Sequence, residues 1–197
     1  MQCGAKEYAP LCRETRAIVT SITVFDHGLS MMYLVLRPLL LISLLSSLSL
    51  ASCYSGSRPP RIGQAAPEFT VQDANRTVSL RQFRGQVLVL NFWATFCPPC
   101  VEEMPSLISM AQSMKPKGVT VLGISVDVDA GSYHKFLVNH GVNFLTVRDP
   151  DQKSSTLYGT HGWPETYIID RDGVVRRKFI GPVDWNSTEV RDYLSTL

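Results

Sequence analysis

Charge is scarce and nearly balanced in this 197-residue chain, with 18% charged residues and a formal net charge of +2. That excludes the basic field on which nucleic-acid binding depends, and no nucleic-acid partner is expected. Glycine and proline stand at ordinary levels, 13 and 12 residues, so collagen-like and wholly disordered chains are excluded as well. Cysteine is sparse: Cys3, Cys12, Cys53, Cys97 and Cys100 are too few and too uneven for a disulfide-stapled scaffold. No apolar run reaches the roughly 20 residues of a membrane-spanning helix unless Met31–Leu36 joins the stretch after it. The length suits one domain with an appendage, large enough for a core without staples.

What is present begins with that stretch. Pro38–Leu50 holds thirteen uncharged positions behind Arg37 and ahead of small residues, the pattern of an export signal. Its ending, Leu50-Ala51-Ser52-Cys53, resembles the lipobox of bacterial lipoproteins. That resemblance implies a lipidated Cys53 at the mature N-terminus, anchored in a lipid bilayer and withdrawn from redox chemistry. An uncleaved anchor and a plain cleavage site are the alternatives, and both export the rest of the chain. Residues 1–30 contain Glu14 and Asp26 and sit awkwardly before a signal at 31–52, so they are expected to be a mis-called start. Residues 53–61 read as a tether of turn residues, and 62–197 as one folded domain.

Within that domain, Phe69–Val71 and Thr77–Leu80 alternate around a turn like a small hairpin. Val87–Trp93 is apolar at nearly every position, which predicts a strand covered on both faces, and Val119–Val126 repeats the pattern. Val101, Met104, Leu107, Ile108, Ala111 and Met114 recur at helical spacing. A helix is expected over Ser132–Asn139, with Phe136 and Leu137 inward. A short strand is expected at Leu145–Val147 and a helical turn or two at Ser154–Tyr158. Thr166–Ile169 and Val174–Ile180 flank Asp170-Arg171-Asp172-Gly173, a hairpin turn, and Glu189–Leu194 closes as a helix. Strand, helix, strand, helix, hairpin and helix predict an α/β fold: a central mixed sheet flanked by helices, with an added N-terminal β-hairpin.

Chemistry concentrates in Cys97-Pro98-Pro99-Cys100, where a buried strand is expected to end and a helix to begin. A helix N-terminus favours the thiolate of the first cysteine, the turn should expose it, and the second thiol one turn on can resolve a mixed disulfide. A C-x-x-C pair can also be half of a zinc site, but the domain has no second pair, and His134 and His140 lie six apart. A static structural disulfide remains open, although closing so short a loop gains little entropy. Pro98 suits the first helical position. Pro99 removes a further amide donor that would hold the Cys97 thiolate, which points to a reducing rather than an oxidising potential.

The stretch from Ile62 to the C-terminus resembles the thioredoxin-fold thiol–disulfide oxidoreductases of the TlpA/ResA-like and cytochrome c biogenesis (CcmG/DsbE) group. The likeness rests on VLVLNFWATFCPPCVEEMP, on Ile62-Gly-Gln-Ala-Ala-Pro67 and on Gly162-Trp-Pro-Glu-Thr-Tyr-Ile-Ile-Asp170. It implies a thioredoxin-like fold, with Cys97 as the attacking thiol and Cys100 as the resolving one. Pro164 corresponds to the cis-proline that faces the thiols, and Glu103 to a partly buried acid that exchanges a proton with Cys100. Pro105 corresponds to a helix kink and Asn91 to the place of a buried Asp in thioredoxins proper. Candidate catalytic residues are therefore Cys97, Cys100 and Glu103, with Trp93 (a wall of the site that is also partly core), Phe96, Trp163 and Pro164 as candidate substrate contacts. Phe96 and Trp163 depart from the group, which usually has Trp before the first cysteine and a small or β-branched residue before the cis-proline.

The activity expected is reduction of disulfides in exported proteins, such as apocytochrome c, by a lipid-anchored protein of the bacterial cell envelope facing the periplasm or exterior. A membrane electron donor of thiol type would recharge it, and no cofactor or metal beyond a redox-active Cys97–Cys100 disulfide is expected. Oxidation or isomerisation of disulfides is the alternative in the same class. A thiol peroxidase wants T-x-x-C where Thr95 gives T-x-C, and a copper chaperone wants wider cysteine spacing with a paired His.

Overall fold

A computed structural model describes residues 59–74 and 76–197, so the expectations for residues 1–30, for 31–52 and for Cys53 lie outside the described residues, as does most of the 53–61 tether. The domain opens with a hairpin, β1 (Thr70–Asp73) and β2 (Arg76–Ser79), paired antiparallel as a two-stranded sheet of its own. A single 3-10 turn, Leu80–Phe83, leads into β3 (Val87–Trp93). After it come α1 (Pro98–Met114), β4 (Val119–Ser125), α2 (Ala130–Asn139), β5 (Leu145–Arg148), α3 (Lys153–Tyr158), β6 (Glu165–Ile169), β7 (Val175–Ile180) and α4 (Thr188–Ser195).

The main sheet has strand order β5-β4-β3-β6-β7. Strands β3, β4 and β5 run parallel, and β6 and β7 run antiparallel to their neighbours. This is the mixed sheet expected, with the added hairpin in front of it, and it is a thioredoxin-like fold. β3 is central and all seven of its residues are buried. Its side chains alternate between faces with period two. Leu88, Leu90 and Phe92 join the core beneath the hairpin and α3, together with Phe69, Val71, Val78, Tyr158 and Tyr167. Val87 and Val89 join the opposite core with Leu107, Met110 and Met114 of α1 and Leu194 of α4. Each such fully buried Leu, Val, Phe or Met contributes roughly 1.5–3 kcal/mol relative to exposure.

The hairpin is bound to the rest by Asp73, whose carboxylate accepts from the backbone N–H and from a guanidinium N–H of Arg148, each at 3.0 Å. The β6–β7 turn works as its sequence suggests, with Gly173 at φ +78° and the Asp170 carboxylate accepting from the N–H groups of Asp172 and Val174. Helix α2 starts two residues before the predicted Ser132, because the Asp129 side chain accepts from the N–H groups of Gly131 and Ser132 and so caps the helix. Its fully inward residue besides Phe136 is Tyr133; Leu137 is only half-buried.

Candidate active site

The end of β3 and the start of α1 are joined by Ala94, Thr95 and Phe96, and this turn is pinned from β4's C-terminal end. The buried Asp127 carboxylate accepts from the Thr95 N–H at 3.0 Å and from its hydroxyl at 2.6 Å, while Ser125 Oγ donates to the same carboxylate at 2.5 Å. Cys97 is thereby set as the N-cap of α1, with Pro98 and Pro99 in its first two positions. Neither proline has an N–H to offer, so Cys100 supplies the first amide of the helix. That one N–H is divided between the Cys97 carbonyl at 3.0 Å and Cys97 Sγ at 3.3 Å.

Cys97 and Cys100 form a disulfide. Cys100 is 0% exposed and Cys97 only 8%, so the open thiol expected from the turn is not what the structure holds. The cover comes from the β6 side. The Trp163–Pro164 peptide is cis, and the Trp163 carbonyl oxygen lies 3.3 Å from Cys97 Sγ. The half-buried Trp163 ring meets the Phe96 ring edge-on at 6.0 Å, and Phe96 is 64% exposed. Phe96 and Trp163 thus meet beside the sulfur, with Pro164 following Trp163 across the cis bond. Trp93 does not join them at the surface: it is 0% exposed, packed on Tyr133 and Phe136, and therefore a core residue rather than a substrate contact. The reason is its register. An odd position on β3 points under α1 and α2, where Cys97, Cys100 and Met104 complete the same cluster.

Glu103, one helical turn beyond Cys100 on α1, is 3% exposed. Its Oε1 accepts from Asn91 Nδ2 at 2.8 Å. Its Oε2 accepts from the Val183 N–H at 3.0 Å and from Trp185 Nε1–H at 3.3 Å. Burial pushes its pKa up to about 7, against the opposing pull of those hydrogen bonds from Val183, Asn91 and Trp185. A cleft of about 300 Å³ lined by Glu102, Glu103, Ser106 and Pro182–Asp184 leads from solvent towards this carboxyl. Asn91 also donates through Nδ2 to Thr166 Oγ1 at 2.9 Å, so strands β3 and β6 are tied together beneath the disulfide. Pro105 lies inside α1.

Four contributors carry little or no signal in the sequence. Trp185 and Val183 reach Glu103 from a loop some eighty positions away, and no local pattern signals that. Asp127 comes after a buried strand as Ser-x-Asp, which is a usable turn signal. Glu165, directly after Pro164, is buried as well. It is paired with Lys178 Nζ at 2.8 Å and bonded by Thr160 Oγ1 at 2.9 Å. Among the described residues no group of His, Cys, Asp and Glu is arranged to hold a metal ion.

Comparison with known proteins agrees with this geometry. Residues 62–178 match the AhpC/TSA family. The thiol-disulfide oxidoreductase ResA of Bacillus thuringiensis is 34% identical over 122 residues, covering 61% of this chain and 70% of that protein. The thiol:disulfide interchange protein DsbE of Allochromatium vinosum is 33% identical over 129 residues, covering 64% and 70%. A crystal structure assigned to a thiol:disulfide interchange protein DsbE of Chlorobium tepidum superposes with a TM-score of 0.64 at 30% identity, covering 69% of this chain and 98% of that one. The chain belongs to the AhpC/TSA family of thioredoxin-like proteins, and within it is a thiol–disulfide oxidoreductase.

Proposed function

We propose that the protein is an exported reductase, held at the cell envelope of a bacterium through Cys53, which transfers electrons from a membrane thiol donor to disulfides of exported proteins. The paired cysteines of an apocytochrome c are the substrate class that best fits the resemblance of the site. The observation that carries the reductive direction is the divided Cys100 N–H. Strongly oxidising C-x-x-C proteins owe their potential to a stabilised reduced thiolate. Here two prolines leave one first-turn amide near Cys97 Sγ, and that amide also serves a carbonyl. Export is supported by the signal-like segment at 31–52, and it would place the protein where the disulfides of its substrates form and persist. Among the described residues no helix is long and apolar enough to cross a membrane.

In the cycle, the Cys97 thiolate attacks one sulfur of the substrate disulfide and the other substrate sulfur leaves as a thiolate. Glu103, in its ionised form, takes the proton from Cys100, and the resulting thiolate attacks Cys97 Sγ. The mixed disulfide breaks, the substrate's second sulfur departs, and Cys97–Cys100 closes. Two electrons pass to the substrate, and the proton held by Glu103 can leave through the cleft beside Ser106. A pKa near 7 lets one carboxyl accept and release that proton at ordinary pH. Phe96, Trp163 and Pro164 form the surface against which the substrate backbone lies. The peroxidase reading gains nothing from the site, because the Thr95 hydroxyl is committed to Asp127.

Cys100→Ser in the full-length exported chain tests this reading. It should strand a substrate on Cys97 as a reductant-sensitive adduct whose partner is an exported protein with paired cysteines. A folded, exported variant that traps nothing contradicts it.

A further inference from the structure

The carboxylate of Glu103 is surrounded by donors alone: Asn91 Nδ2 on one oxygen, and the Val183 N–H with the Trp185 Nε1–H on the other. That set suits the ionised form. A protonated Glu103 needs an acceptor within reach, and the Val183 amide and the indole cannot become acceptors. Asn91 can. Its Oδ1 is buried and has no hydrogen-bond partner among the described residues, while its Nδ2 carries both of its bonds, to Glu103 and to Thr166. Turning the amide by 180° puts Oδ1 where Nδ2 now sits, 2.8 Å from Glu103 Oε1 and 2.9 Å from Thr166 Oγ1. In that orientation the protonated carboxyl donates to Oδ1, and so does the Thr166 hydroxyl, which can serve as donor or acceptor. Either orientation leaves one end of the amide without a partner. What Glu103 requires therefore decides between them, because leaving a facing donor against a donor costs about 1–3 kcal/mol.

We propose that Asn91 is a positioning residue whose amide turns with the protonation of Glu103, donating to the carboxylate and accepting from the carboxylic acid. Its neighbour Thr166 reverses its hydrogen bond in the same step. This deepens the reading in which Glu103 exchanges a proton with Cys100, and it supplies a reason for a neutral amide at position 91. A fixed donor there would favour the anion, and an acid would oppose it, whereas an amide serves both states. Cys100, one turn earlier on α1, carries no ionisable thiol in the disulfide-bonded chain, and the other titratable groups along the cleft are Glu102 and Asp184. β3 and β6 present only the neutral Asn91 and Thr166.

The test tracks the side-chain amide of Asn91 by ¹⁵N–¹H correlation and nuclear Overhauser spectra, in the full-length disulfide-bonded chain, across the titration of Glu103. As pH falls, both amide protons should move upfield together and lose their contacts with the Thr166 side chain, at the midpoint of the Glu103 carboxyl carbon. A Glu103→Gln variant should show the turned orientation at every pH. Its amide oxygen suits the Val183 and Trp185 donors, and its NH₂ then faces Asn91. Contacts from the Asn91 amide protons to Thr166 that persist through the Glu103 titration, or that persist in Glu103→Gln, would overturn the proposal. Either result is independent of proton transfer to Cys100, which is read separately from the pH dependence of thiol exchange.

Discussion

Trp185 Nε1–H donates to Oε2 of Glu103 at 3.3 Å, joining a fully buried indole from the loop before α4 to the acid beneath the disulfide. The C-terminal segment therefore tunes the site although it never reaches the sulfurs. Trp185→Phe keeps most of the packing against Phe179 and removes one donor to the charged form. The Glu103 midpoint should move above its value of about 7, because losing a hydrogen bond to a carboxylate favours the acid. A ¹³C titration of the carboxyl measures this, and a midpoint that stays or falls contradicts the assigned role of the indole.

Glu103 also makes stability depend on pH, with a definite sign. Its folded pKa, about 7, lies above the ordinary 4.5. Below 4.5 both folded and unfolded chains hold the proton and there is no penalty. Between 4.5 and 7 the unfolded chain releases it first, so stability falls as pH rises through that window. At 1.36 kcal/mol per unit the loss above pH 7 approaches about 3 kcal/mol. Glu103→Gln should flatten this slope between pH 4.5 and 7. Urea midpoints at the two ends of the window, compared with the parent protein, provide the measurement.

Trp163 and Phe96 shield Cys97, which is only 8% exposed. Trp163→Ala removes the ring that closes this face. It should speed reaction of the reduced protein with a small disulfide severalfold, since thiol exchange depends on access. Reaction with a protein substrate that docks on the same rings should slow. Stopped-flow rates with oxidised glutathione and with a trapped substrate separate the two effects; equal rates before and after the substitution would remove Trp163 from the surface.

Gly123 on β4 approaches the site from behind. A Cβ there would lie 2.9 Å from Trp93 Nε1, 3.0 Å from Thr146 Oγ1 and 3.2 Å from Phe144. Gly123→Ala should therefore destabilise by about 1–3 kcal/mol, the cost of overpacking a close-packed interior. The midpoint of chemical unfolding checks it.

The regular elements were legible because their signals are local. β3 runs apolar on both faces, its bounds agree with the predicted Val87–Trp93, and the spacing of Val101 to Met114 marks α1. The turn at Asp170–Gly173 was equally plain. The burial of Cys97 was not legible, since it depends on what β6 places over it. Trp93 lies in the strand predicted to be covered on both faces, but nothing local showed that Tyr133 and Phe136 would take its ring wholly away from the surface. Glu103 was recognisable by its position after Cys100. Its three donors come from β3 and from the Val183–Trp185 loop, and only the folded chain brings them together.

The central claim is that Cys97–Cys100 runs as a reductant, and its reduction potential tests this most directly. Equilibration of the full-length protein with defined thiol–disulfide buffers should place it near the reducing end of the C-x-x-C range, close to the value of about −270 mV for thioredoxin. A potential near about −120 mV, where the strong oxidant DsbA lies, would contradict the reductive assignment.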